Sequence, residues 1–257
     1  MKLWGKPVTL LAVALIVTGC SGSPTEDPSI QAKADAFSAK VKADMKAEAD
    51  AAAEAKIIKL SFPKDRPLSV FYAADSLSYS LFSSTEANGY RPLVNAELRK
   101  HGQILEQRAT KADPQALFKV GNVQDVPNSG VDLAILELGT NDMGTADVAS
   151  RTPIDQFHKD YVALVNNVRR SANVQVICVG AWGGRGQTIT DPYDFEIQKI
   201  CEANGGKYVD LTDIYELKDT FGPKGTATWL GPADNFHPND KGHRAIADLI
   251  LERIRLS

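Results

Sequence analysis

Three side chains in this sequence have the types and the spacing that acyl transfer by a serine nucleophile requires. Ser76 follows an apolar run, and Asp234 and His237 stand three positions apart near the carboxyl end of the chain. At that spacing the carboxylate can fix the imidazole tautomer, which leaves the other ring nitrogen free to take the proton of a serine hydroxyl. Pro238 confines His237 to an extended backbone, so the following helix does not absorb the ring. We therefore expect Ser76 to be the nucleophile, His237 the base and Asp234 the residue that orients it.

A fourth candidate is the side-chain amide of Asn141. Gly139 ends an apolar run, and Asn141 and Asp142 follow directly. An N–H group aimed at a developing oxyanion lowers the barrier by about 2.7–4 kcal/mol in known acyl-transfer enzymes. The alternative is that Asn141 and Asp142 cap a turn, as these residue types commonly do.

The elements that would position these residues follow from about residue 60, where short apolar runs alternate with longer amphipathic segments. The expected strands are Leu68–Ala73, Ile104–Gln107, Leu133–Leu138, Val174–Val179 and Tyr208–Leu211, and the expected helices are Asn88–Lys100, Pro114–Lys119, Ile154–Ser171, Tyr193–Asn204 and Asp240–Arg255. Continuous apolar strands that alternate with helices predict a parallel sheet covered on both faces. In such sheets the active site lies beyond the carboxyl ends of the strands, where Ser76 and Asn141 stand.

Taken in this order, the segments around Ser76, Asn141 and His237 resemble the SGNH (GDSL-type) hydrolase superfamily. The resemblance extends from about Leu68 to Ile254, which is effectively the whole domain. It implies an α/β fold: a three-layer, flavodoxin-like α/β/α sandwich with a mainly parallel five-stranded sheet.

The resemblance also implies roles for individual residues. Ser76, His237 and Asp234 would form the catalytic triad, and Asn141 and the backbone N–H of Ser76 would be the oxyanion donors. Family members usually act without a metal or cofactor. No cluster in this sequence has metal-ligand spacing, so neither is expected.

Two positions depart from the family pattern. Ala74 stands where the family usually has glycine, and the segment Glu106–Thr110 lacks the glycine that would supply a further oxyanion N–H. One missing donor lowers the rate by about 10²–10³. Two hypotheses therefore remain: an esterase acting on ester bonds, such as O-acetyl groups of extracellular or cell-envelope glycans, and a weak or inactive surface protein whose cleft binds a glycan or partner.

The glycine-rich loop 180–186 follows the fourth expected strand and is interpreted as flanking the cleft. Trp182 is a candidate platform for stacking against substrate, and Arg185 is a candidate contact for an anionic group. The loop lacks the Lys-Ser/Thr pair of a phosphate-binding loop. We interpret His243 as a surface residue of the last helix, and Trp229 as a core residue in preference to a cleft wall.

The N-terminus has the features of a targeting segment. Lys2 and Lys6 precede the apolar run 7–17, which is too short to span a bilayer, and the run leads into Val-Thr-Gly-Cys ending at Cys20. This ending resembles a bacterial lipobox, in which Cys20 would be lipidated and become the mature N-terminus. Ordinary signal cleavage, with Cys20 incidental, is the alternative.

The chain thus divides into a lipoprotein signal peptide (1–20), a tether and an Ala/Lys/Glu-rich helical stalk (21–59), and a hydrolase-type domain (60–257). We expect an exported, monomeric protein, anchored by lipid to the bacterial cell membrane and facing outside. A net charge of −3 without a dense basic run argues against nucleic acid as a partner. The family resemblance implies a small-molecule or glycan ester as the partner. For Cys178 and Cys201, a disulfide and two buried thiols are equally compatible with the sequence.

Overall fold

The computed structural model describes residues 28–109, 118–145, 147–184, 186 and 189–257. The predicted signal peptide, Cys20 and Arg185 lie outside these ranges. The chain divides into two units after Ala51. Helix α1 (Pro28–Glu54) contains all the described residues of the first unit and ends three residues beyond it; it confirms the helix expected from the Ala-rich composition. Nowhere in the described ranges is a helix both long and apolar enough to cross a bilayer.

The second unit is built on a parallel sheet. Its strands within the described ranges are β1 (Ile58–Leu60), β2 (Leu68–Ala74), β3 (Ile104–Ala109), β4 (Leu133–Glu137), β5 (Gln175–Val179), β6 (Lys207–Val209), β7 (Ala227–Thr228), β8 (Gly231–Pro232) and β9 (Ile254–Leu256). Five of them form the central sheet in the order β3-β2-β4-β5-β6, with every neighbouring pair parallel. This is the flavodoxin-like order, so the predicted fold is confirmed.

Helices cover both faces of the sheet. They are α2 (Tyr90–Arg99), α3 (Ile154–Val168), α4 (Asp191–Ala203), the short α5 (Thr212–Tyr215) and α6 (Asp240–Leu251). α2 and α6 pack on one face and α3 and α4 on the other, and each pair shares an apolar core with the strands. All residues of β2 and β4 are buried, which is why these strands are apolar runs without polar alternation.

The register of the sheet decides where the candidate residues emerge. Ala74 at the end of β2 pairs with Glu137 at the end of β4, so the segments carrying Ser76 and Asn141 leave the sheet side by side. The chain order reverses between these strands, and open α/β sheets bind ligands at such a point.

Local elements differ from the expectations in several places; the expected strand Tyr208–Leu211 is β6 at Lys207–Val209, and the expected helix Ile154–Ser171 ends at Val168. The last helix ends at Leu251, not Arg255, because β9 turns back to pair in parallel with β1, a strand that sequence patterns missed. The β7–β8 hairpin was also missed because its strands are only two residues long. The helix expected over 114–119 lies mostly outside the described residues, and Phe118 and Lys119 are not helical.

Cys178 on β5 and Cys201 on α4 form a disulfide with an S–S distance of 2.05 Å. Both residues are fully buried in the core between the sheet and α4. The structure therefore decides the question that the sequence left open, and the bond ties α4 to the strand beneath it.

Candidate active site

Ser76 begins a single turn of 3₁₀ helix that ends at Tyr79, directly beyond the end of β2. The turn starts here because Asp75 caps it: the Asp75 carboxylate accepts a hydrogen bond from the N–H of Leu77 at 3.2 Å, and its carbonyl accepts one from the N–H of Ser78 at 3.1 Å. This capping is the usual role of aspartate at a helix start. It presents the half-buried Ser76 side chain at the edge of the sheet.

The three residues expected to act together are joined in a row. Oγ of Ser76 lies 3.0 Å from Nε2 of His237, and Nδ1 of His237 lies 2.7 Å from Oδ2 of Asp234. Because an ionised carboxylate can only accept, Nδ1 carries the hydrogen and Nε2 is left to accept from the serine hydroxyl. This arrangement can move a proton from Ser76 to the imidazole as the oxygen attacks an electrophile.

Asp234 is held in its ionised form. Burial by itself would raise its pKa, but the ring and backbone N–H groups of His237 and the N–H of Phe236 donate hydrogen bonds to it and lower the pKa to about 2. Hydrogen bonds to a carboxylate favour the charged form in this way. The charge is therefore available at neutral pH to stabilise an imidazolium.

The loop that carries His237 is held by contacts on several sides. The imidazole ring of His237 meets the rings of Phe82 and Phe236 edge-on, each at a centroid distance of 5.2 Å. Asn239 caps α6, because its side chain accepts hydrogen bonds from N–H groups of the first turn. These contacts leave the imidazole little rotational freedom.

The expectation that Trp182 offers a stacking platform is wrong for this structure. Its side chain is fully buried, and its indole N–H donates to the carbonyl of Phe236 at 2.5 Å. The expectation that Trp229 is a core residue is also wrong. Its side chain is 40% exposed, and its indole N–H donates to the carbonyl of Ser80 at 3.0 Å.

Asn141 lies beside the serine segment, as expected. Gly139 before it has a φ of +131°, which favours glycine and explains the break after β4. The Asn141 amide donates to the carbonyl of Phe118 at 3.1 Å and, at 3.4 Å, to Oδ2 of Asp75. The contact to Phe118 would have to be given up for one N–H of the amide to reach an oxyanion, while the contact to Asp75 can remain.

Of the two departures from the family pattern, one is harmless. Ala74 lies in β2 with an extended backbone, so nothing at this position requires glycine. The other departure is the segment Glu106–Thr110, which lacks glycine; the structure describes it as far as Ala109, the end of β3. No oxyanion donor is assigned to this segment.

The sequence analysis missed the burial of two residues near the site. His243 is fully buried, so its interpretation as a surface residue is wrong. It lies on the apolar face of α6, and its helical spacing from Ile246, Ala247 and Ile250 could have revealed this. Glu137 is a carboxylic acid inside a strand that is otherwise apolar, and that contrast was equally visible in the sequence.

Comparisons with known proteins agree with this fold. An acetyl xylan esterase, AlAXEase, superposes with a TM-score of 0.54 at 21% identity, over 71% of this chain and 98% of that one. A psychrotrophic esterase, EstA from Pseudoalteromonas sp., gives 0.52 at 17% identity, over 72% and 95% of the two chains. At these identities the likeness concerns the fold.

Among curated proteins, none matches this sequence significantly. The family model described as "GDSL-like Lipase/Acylhydrolase family" matches residues 75–245, about two thirds of the chain. The match begins at Asp75, beside Ser76, and extends past His237. This chain therefore belongs to the GDSL-like lipase/acylhydrolase family and is an esterase-type hydrolase with the SGNH fold.

Proposed function

We propose that this protein hydrolyses esters through an acyl-enzyme, with Ser76 as nucleophile. The observation that carries the proposal is the hydrogen-bonded row from Ser76 through His237 to Asp234. His237 takes the hydroxyl proton as Oγ bonds to the acyl carbon, and then returns it to the departing alcohol. Water, deprotonated by the same nitrogen, next attacks the acyl-enzyme and releases the acid and the free serine.

The backbone N–H of Ser76 and the amide of Asn141 are the proposed oxyanion donors. Both stand at the carboxyl ends of adjacent strands, on the side of the sheet where the serine is presented. In this reaction the Asn141 amide gives up its hydrogen bond to the carbonyl of Phe118 and donates instead to the developing oxyanion, because a charged oxygen is a stronger acceptor.

The proposed substrates are short acyl esters, such as O-acetyl groups on an extracellular or cell-envelope glycan. Two of the structural relatives are acetyl xylan esterases by name, which supports a glycan ester by analogy of fold.

We further propose that the protein is exported and lipidated at Cys20. The Cys178–Cys201 disulfide supports export, because such bonds persist in oxidising compartments.

A second candidate function is binding without catalysis, in which the cleft recognises a glycan or a partner. It is favoured by the Asn141 amide, whose N–H groups point to protein acceptors, and by the missing glycine between Glu106 and Thr110. This candidate predicts the same fold and the same cleft, so only turnover separates the two.

The test is hydrolysis of p-nitrophenyl acetate and of acetylated xylan by the protein from residue 21 onward, beside its Ser76→Ala variant. We expect the wild type to exceed the variant by at least about 10²-fold, since removal of a triad serine removes the acyl-enzyme route. A fluorophosphonate probe should label only the wild type. Equal rates and equal labelling would refute the esterase; binding of acetylated xylan by both forms would then support the second candidate.

A further inference from the structure

Glu137 is the last residue of β4, and its side chain is fully buried behind the serine segment. It pairs in register with Ala74, and its carbonyl accepts a hydrogen bond from the N–H of Asp75 at 3.3 Å. Asp75 is itself only 1% exposed. Two carboxyl groups therefore share one dry site, one residue away from Ser76.

The hydrogen bonds around the pair identify which carboxyl is ionised. Oδ1 of Asp75 accepts from the N–H of Leu77, and Oδ2 lies 3.4 Å from the donating amide of Asn141. Within the described part of the chain, neither side-chain oxygen of Glu137 accepts a well-formed hydrogen bond from an N–H or O–H group. Asp75 thus has the surroundings of a carboxylate, and Glu137 does not.

The charge of Asp75 acts on Glu137 at close range, because the backbones of the two residues are hydrogen-bonded and both side chains are excluded from water. Two ionised carboxylates in such a site would repel each other, so we expect one of them to hold a proton. Burial raises the pKa of Glu137 well above its ordinary value, and the charge of Asp75 raises it further. The other titratable groups that face the pair are His237, Asp142, Tyr90 and Tyr161, and the two tyrosines remain neutral because burial raises their pKa.

We propose that Glu137 is a neutral carboxylic acid whose O–H donates to Asp75, and that it thereby positions both the Ser76 turn and the Asn141 amide. Asp75 joins these two elements, one through each of its oxygens. The donor from Glu137 holds the Asp75 carboxylate in the orientation that serves both. Glu137 touches no reacting atom, so it is a positioning residue, and its effect on turnover rests on the proposed esterase function.

The kinetic test compares Glu137→Gln with Glu137→Leu in the full chain, using p-nitrophenyl acetate and Ser76→Ala as the baseline. Glutamine keeps a donor toward Asp75, so kcat should stay within about 3-fold of wild type. Leucine has a similar volume but no donor, so kcat should fall about 10²-fold while KM changes by less than about 3-fold. Wild-type kcat in the leucine variant would overturn the proposal, as would an equal fall in both variants.

If the leucine variant does not fold, a second measurement still tests the proposal. Infrared difference spectra of wild type minus Glu137→Gln at neutral pH should show the carbonyl stretch of a protonated carboxylic acid. A difference that contains only carboxylate bands would overturn the proposal. This readout needs no turnover, so it distinguishes a failure of the Glu137 assignment from a failure of the esterase function, which Ser76→Ala reports.

Discussion

The indole N–H of Trp182 donates to the carbonyl of Phe236, the residue immediately before His237. The backbone N–H of Trp182 also donates to Oγ1 of Thr140, next to Asn141, at 2.9 Å. One buried residue on the loop after β5 therefore ties together the loop that carries the imidazole and the segment that carries the amide. The site is held by its neighbours as well as by its own hydrogen bonds.

We expect Trp182→Phe to lower kcat about 10-fold with little change in KM. The ring volume is largely kept, but the Phe236 carbonyl loses its donor, so His237 is held less firmly, and small misplacements are costly in catalysis. Steady-state kinetics with p-nitrophenyl acetate would measure this. Trp229→Phe is the matched control, because it loses an equivalent indole bond at a partly exposed site, to Ser80. Equal effects in the two variants would contradict the bracing role.

Asn141→Ala separates the two interpretations of this residue. As an oxyanion donor, Asn141 should contribute to the transition state, so its loss should lower kcat by about 10²–10³ with a small change in KM. As a turn residue alone, it would lower the melting temperature and leave kcat within about 3-fold of wild type. Kinetics and thermal unfolding of the same preparation distinguish these outcomes, and the second would remove Asn141 from the mechanism.

His243 is expected to make stability depend on pH. Nε2 of its ring lies 3.2 Å from the carbonyl oxygen of Leu81, and Nδ1 accepts from the N–H of Tyr90 at 3.4 Å, so the neutral ring satisfies both contacts. Burial lowers the pKa of His243, the hydrogen bond to Leu81 and the charge of Asp240 oppose this shift, and the charge of His237 adds to it; the resulting pKa is about 4.

The unfolded chain binds this proton near pH 6.5, whereas the folded chain resists it down to about pH 4. The stability that His243 contributes is therefore complete above pH 6.5 and is lost as the pH falls toward 4. Between pH 7.5 and pH 5 we expect a loss of about 2 kcal/mol from this group. The His243→Gln variant keeps a donor for Leu81 and cannot titrate, so urea unfolding should show a smaller loss over that range. Identical pH dependence in both proteins would contradict the assignment.

The disulfide should contribute measurably to stability. It closes a loop with a sequence separation of 23, for which chain entropy predicts about 3 kcal/mol. We expect Cys178→Ala, Cys201→Ala and the double variant each to lose a similar amount in urea unfolding, since any of them breaks the same bond. A loss confined to one single variant would indicate a local packing defect in place of a shared cross-link.

Much of the fold could be predicted because the inner strands β2, β4 and β5 are largely apolar runs. Val70 and Ile135 are fully buried on two of these strands, and such a pattern can be recognised without knowledge of the partner strand. The short strands β1 and β9 could not be found in this way. Each is three residues long and exists only because the other end of the chain lies beside it.

For the candidate site residues, too, some features could be predicted from the sequence and others required the structure. Asp234 and His237 are close in the chain, so local geometry alone brings their side chains together, and the residue types define the chemistry. The sequence by itself thus indicated the family, the parallel sheet and the three side chains that are proposed to react.

The tertiary structure alone decided the surroundings of those side chains. It buried Trp182 and His243, joined Cys178 to Cys201, and placed Glu137 against Asp75. The physical reason is that burial and protonation depend on which distant segments exclude water from a group. A linear pattern states the polarity of each residue, but the packed sheet and helices decide its environment.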